Sequence, residues 1–340
     1  MKTEIYSMQT LNKAAEKLKK GEIVAFPTET VFGLGAIANS DQAIQEVYRV
    51  KGRPSDNPLI IHVSSIKSVE KYVDKVSPIA QKLMESFWPG PLTIIFPKSK
   101  GVFSEFATKG QNTVALRMPR QLETLLLIDM VGFPLVGPSA NVSGKPSPTN
   151  VQHVLNDFEG TITGVIANNT ELTEVGVEST VVLPTENSVI VLRPGAVTIP
   201  MLQDVVGVQV IEKSSQQQLS DNSVMSPGVK YTHYSPDKPV YLMSVTHALQ
   251  DWKEFIQNTD QTIGLLASDD IIRACEQNVS IAYSLGQDND VQTATQRLFD
   301  GLRYLEKAEC DIILVQGYNP HQYDAHAYMN RLTKASDFVI

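Results

Sequence analysis

Residues 51–63, KGRPSDNPLIIHV, set two cations, Lys51 and Arg53, around one glycine, then a proline-pinned turn and a strand carrying His62. A point charge and a planar guanidinium fork on a stiff loop suit a polyanion such as a phosphate chain. The same cations also suit a solvated helix end, where positive charge complements the helix dipole. Residues 136–149, VGPSANVSGKPSPT, place Ser139, Asn141, Ser143 and Ser147 among prolines and glycines. Hydroxyls and backbone N–H groups in such a loop can take phosphate oxygens, or simply face water. Arg117, in the alternating strand NTVALRMP, shares a face with Thr113 and Ala115. Pointed into a concave site it would bind a carboxylate; at a sheet edge it would be solvated. PTETVFGLGA, residues 27–36, follows a strand with Thr28, Glu29 and Thr30, and its two glycines read as a turn needing glycine conformations. His62 by itself is read as a satisfied structural histidine more readily than as a ligand. Arg193, in LRPGAV, marks a strand end before a Pro-Gly turn.

The chain contains no GxxxxGK[ST] loop, no HExxH, no G-x-S-x-G and no convincing Ser-His-Asp order. His321, Asp324 and His326 imitate a metal site but lack a further ligand, so no side-chain metal site is expected. Cations and hydroxyls without a nucleophile suit a reaction in which the substrates attack each other. Catalysis is then positioning and charge stabilisation.

The elements that must hold these residues follow from pattern. The 340 residues favour two domains, and 42% hydrophobic with 19% charged residues is ordinary for a globular chain. Residues 211–239 are polar, rich in Ser, Gln and Pro, and read as a linker between a domain over 1–210 and a smaller one over 240–340. In the first, 40–50 form a helix capped by Ser40 and stopped by Gly52 and Pro54. EIVAFP, PLIIHV, LTIIF, NTVALRMP, FPLVG, STVVL and SVIVLR supply at least six strands, giving an α/β or α+β fold with a sizeable sheet. In the second, strands alternate with helices as in a small parallel, Rossmann-like sheet, with no GxGxxG after its first strand. Cys275 and Cys310 lie far apart, excluding a disulfide framework. The N-terminus lacks a signal peptide's apolar core, and no apolar run approaches the ~20 residues of a membrane span. A cytoplasmic location is expected. Net charge −8 argues against coating nucleic acid with the whole surface, while leaving room for a local basic patch.

In order, PTETVFGLGA, KGRPSDNPLIIHV, WPGPLT, VALRMP, GPSANVSGKPSPT, GVESTVV and LRPGAVT resemble the YrdC-like L-threonylcarbamoyladenylate synthases. SPGVKYTHYSP followed by a small α/β domain is similar to their long, two-domain form. The resemblance spans nearly the whole chain. It implies a twisted open mixed sheet with a basic concave cleft, and a Rossmann-like C-terminal domain. It implies condensation of L-threonine, bicarbonate and ATP to threonylcarbamoyl-AMP and pyrophosphate, a nucleotidyl transfer. The product would feed a downstream transferase machinery that modifies tRNA position 37, with tRNA itself an indirect partner. Lys51 and Arg53, matching a KxR motif, and Ser139 and Asn141, matching SxN, are implied to hold ATP phosphates. Asn57, Thr113, Ser147 and Arg193 would contact the nucleotide. Thr30, His62, Arg117 and Ser179 would surround threonine, Arg117 on its carboxylate. Mg2+ on the phosphates is the expected helper. The linker is expected to close over the cleft, with Lys230, Tyr231 and Tyr234 reaching the phosphates. Phe32 replaces the family's usual tyrosine, and Tyr323 and Ala325 occupy usual glycine positions. The rivals are an RNA-binding module with a basic concave face and carbamoyl transfer from carbamoyl phosphate.

Overall fold

The computed structural model describes residues 2–52, 57–168, 170–213 and 234–340. The first of two sheets has eleven strands: β1 (Glu4–Tyr6), β2 (Val24–Phe26), β3 (Gly33–Ile37), β4 (Ile60–His62), β5 (Leu92–Pro97), β6 (Thr113–Arg117), β7 (Leu135–Val136), β8 (Gly164–Ile166), β9 (Thr180–Pro184), β10 (Ser188–Arg193) and β11 (Gln209–Glu212). Their spatial order is β1-β8-β2-β3-β7-β4-β6-β5-β9-β10-β11, with parallel and antiparallel pairs mixed. The second sheet is all parallel: β12 (Val240–Met243), β13 (Ile263–Ala267), β14 (Ile281–Ser284), β15 (Ile312–Gln316) and β16 (Phe338–Val339), ordered β14-β13-β15-β12-β16. The polar stretch beginning at 211 starts inside β11, where Ile211 and Glu212 pair with β10.

The helix Asp41–Lys51 forms as its caps dictate. Ser40 accepts from the Ala43 amide at 3.3 Å, and Gly52 ends it in the left-handed region at φ 58°. Its apolar stripe, Ile44, Val47 and Tyr48, enters the main core, which also takes one face of β4, β5 and β6 through Ile61, Ile94, Val114 and Leu116. Alternation along β6 sends Ala115 to the other face, beside Ile60 of β4. That second face becomes the floor of the site.

The reading of 27–36 as a glycine turn is corrected by β3. Gly33 and Gly35 lie in a strand pairing antiparallel with β2, and neither is among the glycines with positive φ. They are small because a Cβ on Gly33 would come within 2.8 Å of the Phe26 ring, and one on Gly35 within 2.5 Å of the Val24 carbonyl. Ala325 has an ordinary φ of −84°, and Tyr323 is not among the residues at positive φ, so the replaced glycines near the C-terminus are not conformationally required. Phe32 is fully buried in the main core.

The small sheet is joined to the first by buried polar contacts. Arg303, on the helix Val291–Lys307, pairs bidentately with Asp157 at 2.8 and 2.9 Å and donates to the Pro146 carbonyl at 2.6 and 3.0 Å. Val31 and Val177 of the first unit pack into the apolar cluster of the second. Among the described residues no helix is long and apolar enough to cross a membrane.

Candidate active site

A cleft of about 770 Å³, counting space open to solvent, sits on the second face of the large sheet. It gathers Thr30, Lys51, His62, Arg117, Ser139, Asn141, Ser179, Arg193 and Tyr234, nine of the residues singled out from sequence. Register explains part of the convergence. His62 and Arg117 are direct partners on the parallel strands β4 and β6. On β10 the register shifts between Val191 and Arg193, and such an irregularity re-aims the side chain that follows.

One rim is the loop after β7. It is laced onto the strand beside it: Leu34 donates to the Pro138 carbonyl at 2.7 Å and Ala140 to the Phe32 carbonyl at 2.8 Å. Lys51 reaches from its helix end under this loop and is only 2% exposed. Its ammonium donates to the carbonyls of Ser139 at 2.5 Å and Asn141 at 2.6 Å. The Asn141 amide nitrogen donates to the Val142 and Lys145 carbonyls, while its buried Oδ1 has no partner. The cation and the serine loop, ambiguous when taken singly, are one unit.

Arg117 is buried and partly engaged. Its guanidinium contacts Glu29 at 2.7 Å and donates to Thr30 Oγ1 at 2.8 Å and the Gly90 carbonyl at 3.2 Å. A guanidinium has five N–H donors, so two remain for an anion in the cleft. Burial and the neighbouring Arg117 push the His62 imidazole well below its ordinary pKa, so it is neutral, and its Nδ1 lacks a partner. A Cβ on Gly137 would fall 2.7 Å from that ring, which fixes glycine at the position. Ser179 exchanges a 2.8 Å hydrogen bond with Thr93 and accepts from Arg193 through its carbonyl and its hydroxyl. Burial, then Arg331, lowers Arg193 to about 10.

At the rear lies Glu178. Burial alone would raise its pKa, but Arg331 and Arg193 outweigh that and hold it at about 2. It accepts from Ser147 at 2.5 Å and from Arg331 at 2.8 Å. Arg331 comes from the last helix of the small sheet, His326–Ala335, and is fully buried. Tyr234 stacks on Phe299 with ring centres 5.1 Å apart, and burial with Glu178 lifts its hydroxyl to about 12. The back wall of the cleft, Glu178 and Tyr234, is thus held from behind by Arg331 of the small domain.

Three expected residues do not line this cavity. Ser147 is turned to Glu178. Thr113 lines a smaller adjoining pocket that shares Pro58 and Leu59 with the cleft. Asn57 is 1% exposed, with neither amide atom hydrogen-bonded. Arg53, Lys230 and Tyr231 lie outside the described residues. Sequence reasoning named Glu29 without a role and missed Glu178 and Arg331. Glu178 stands inside the quoted GVESTVV, but nothing local says that its partner lies 153 residues away. Among the described lining residues four cations, Lys51, Arg117, Lys145 and Arg193, face one carboxylate. Lys145 is paired with Asp237 and Glu306. No group of three His, Cys, Asp or Glu able to hold a metal occurs among the described residues.

Comparison with known proteins covers both units. Residues 16–195 match the family model of Sua5, YciO and YrdC, described as telomere recombination. Residues 197–337 match that of the threonylcarbamoyl-AMP synthase C-terminal domain. The threonylcarbamoyl-AMP synthase of Bacillus subtilis is 37% identical over 329 residues, 95% of this chain and 92% of that protein. That of Pyrococcus abyssi is 36% identical over 332 residues, 96% and 94%. The crystal structure of P. abyssi Sua5 complexed with L-threonine matches 99% of this chain and 100% of its own, with a TM-score of 0.89 at 34% identity.

Proposed function

This chain belongs to the threonylcarbamoyl-AMP synthase family, and we propose that its cleft condenses L-threonine, bicarbonate and ATP into threonylcarbamoyl-AMP and pyrophosphate. The observation that carries the reading is the convergence of Lys51, Arg117 and Arg193 with hydroxyls on one cleft. Threonine's amine and bicarbonate give a carbamate as the new C–N bond forms and water leaves. Its oxygen forms a new bond to the α-phosphorus as the bridging P–O bond breaks and pyrophosphate leaves. Both reactants are anionic, so buried cations lower their mutual repulsion and the charge growing on the leaving group.

In this reading Arg117 turns its two remaining N–H donors to threonine's carboxylate, among Thr30, His62 and Ser179. A neutral His62 adds no further charge to that end. Lys51, Ser139 and Asn141 meet the phosphates, with Arg53 beside them in sequence. Arg193, held on Ser179, also meets the nucleotide, whose far end runs past Asn57 toward Thr113. Four residues of strand separate Thr113 from Arg117, about 13 Å, a span suited to an extended nucleotide. Ser147 serves the nucleotide through Glu178. The one carboxylate among the described lining residues is already held by Ser147 and Arg331. A Mg2+ ion would therefore be carried by phosphate oxygens and water, and would supply charge neutralisation there. Tyr234 anchors the near end of segment 211–239, whose Lys230 and Tyr231 are the lid candidates. The domain limits, 1–210 and 240–340, and a cytoplasmic location belong to the same reading. So does delivery of the labile mixed anhydride to the tRNA-modifying transferase.

The test is pyrophosphate release from ATP with L-threonine and bicarbonate varied separately. Release that needs both, and falls by about 100-fold or more in Lys51→Ala, supports the proposal. Release without threonine replaces the acceptor. No release, together with tight, steeply salt-dependent tRNA binding, replaces the enzyme with an RNA reader.

A further inference from the structure

The small parallel sheet carries a second cavity, of about 880 Å³ counting space open to solvent. Ser244 follows β12 directly, Ser268 follows β13, and Gln316 and Gly317 end β15, so the cavity lies at the carboxyl ends of three strands. The topology places it. From β12 to β13 to β14 the chain steps one way along the sheet; from β14 to β15 to β16 it steps back. With right-handed crossovers, the connections leaving the neighbours β13 and β15 go to opposite faces and leave a crevice between them. Open α/β sheets bind ligands in such crevices.

Two buried side chains in its lining are unsatisfied. Ser268 is fully buried and its hydroxyl has no partner; Tyr318 is 4% exposed and its hydroxyl has none either. Buried polar groups are nearly always paired, so two at one crevice point to a missing partner. The charges select its chemistry. Asp270, which pairs with Arg273 on its own helix, and Asp288 line the cavity with His247, itself paired with Asp251, while no lysine or arginine lines it. Asp288 and Asp290 both act on Tyr318, with burial, to raise its hydroxyl pKa. An anionic nucleotide would meet carboxylates here, and β12 is not followed by a glycine-rich phosphate turn. Trp252, Val245 and Leu249 give an apolar wall, the last two on the exposed rim.

We propose that this crevice binds a small organic amine in its ammonium form, at a site separate from the cleft. The ammonium meets Asp288 and Asp270, the apolar body lies along Trp252 and Leu249, and Ser268 and Tyr318 take the remaining polar groups.

The experiment uses the full chain at low ionic strength, titrated calorimetrically with agmatine, spermidine and tyramine, and with AMP as the anionic counterpart. At least one amine is expected to saturate at 1:1, undisturbed by threonine. The Asp270→Asn, Asp288→Asn double variant is expected to weaken it by about tenfold or more, since both carboxylates that meet the ammonium lose their charge. Ser268→Ala is expected to raise the melting temperature of the unliganded protein and shrink the shift the amine produces. Failure of all three amines to saturate overturns the proposal. So does an affinity unchanged in the double variant, or AMP binding that the double variant strengthens. Pyrophosphate release is read alongside, so that failure here is distinguishable from failure of the synthase reading.

Discussion

Arg331→Met removes the contact between the small domain and the rear of the cleft. The guanidinium donates to Glu178 Oε2 at 2.8 Å, to the Glu178 carbonyl at 3.2 Å and to the Pro194 carbonyl at 2.9 Å, with no exposed surface. Methionine fills similar apolar volume but leaves Glu178 buried with Arg193 as its remaining cationic neighbour in that group. Removing one member of a buried ion pair costs about 3–5 kcal/mol. The carboxylate gives a second route to the size. Its pKa falls from 4.5 to about 2 under Arg331, Arg193 and Ser147 together, which at 1.36 kcal/mol per unit corresponds to about 3 kcal/mol as an upper bound for Arg331's share. A depressed carboxylate contributes that stability above its unfolded pKa, and the contribution is lost as pH falls from about 4.5 through about 2. In Arg331→Met the folded pKa climbs, so acid unfolding should begin at higher pH. Urea denaturation at pH 7 and an acid titration, both followed by tryptophan fluorescence, measure the two effects. Adding Glu178→Gln should recover part of the loss, because an amide needs no counter-charge. Pyrophosphate release should also fall, since Ser147 and Tyr234 are held through Glu178. A loss below about 1 kcal/mol with an unmoved acid limb would refute the reasoning, being the size of an exposed pair.

His62 titrates with a consequence of the same sign, at higher pH. Its folded pKa lies below 6.5, so below pH 6.5 the unfolded chain takes up a proton that the folded chain refuses. Stability then declines by up to about 1.4 kcal/mol per pH unit for this one group, and His62→Gln should flatten the slope of urea midpoints between pH 7 and 5. Gly35→Val should lower stability by about 2 kcal/mol or more, because the added Cβ meets the Val24 carbonyl, which cannot rotate away; thermal melting decides it. Lys51→Arg should not restore the release lost in Lys51→Ala. A planar fork does not fit the space where one ammonium bridges the Ser139 and Asn141 carbonyls, and equal activity of Lys51→Arg and wild type would count against that geometry.

What the sequence disclosed follows the range of each interaction. The helix from Asp41 to Lys51 was legible because Ser40 and Gly52 act within four residues of its ends. The alternation along Thr113–Arg117 was legible because a strand's two faces are written at every second position. β3 was not, because Gly33 and Gly35 answer to Phe26 and Val24 across a strand pair rather than to their own φ angles. Nine of the proposed site residues share one cleft, yet no local pattern joined Lys51 to the loop it supports 88 and 90 residues later. The family resemblance supplied that link. Glu178 and Arg331 stayed hidden for the same reason: each looks like an ordinary surface charge until the two sheets are brought together.

The back wall has a consequence for the order in which the protein is made. Glu178 leaves the ribosome 153 residues ahead of Arg331, an interval of roughly 8–30 s at ordinary synthesis rates of about 5–20 residues per second. During that time the carboxylate has Arg193 nearby in sequence but not the arginine that buries it. The nascent large sheet can assemble its strands, but it acquires its finished electrostatics only when the last helix is translated and docked. Completion of the cleft's electrostatics is therefore timed to completion of the chain, and a stalled ribosome would hold out a sheet whose Glu178 still lacks Arg331.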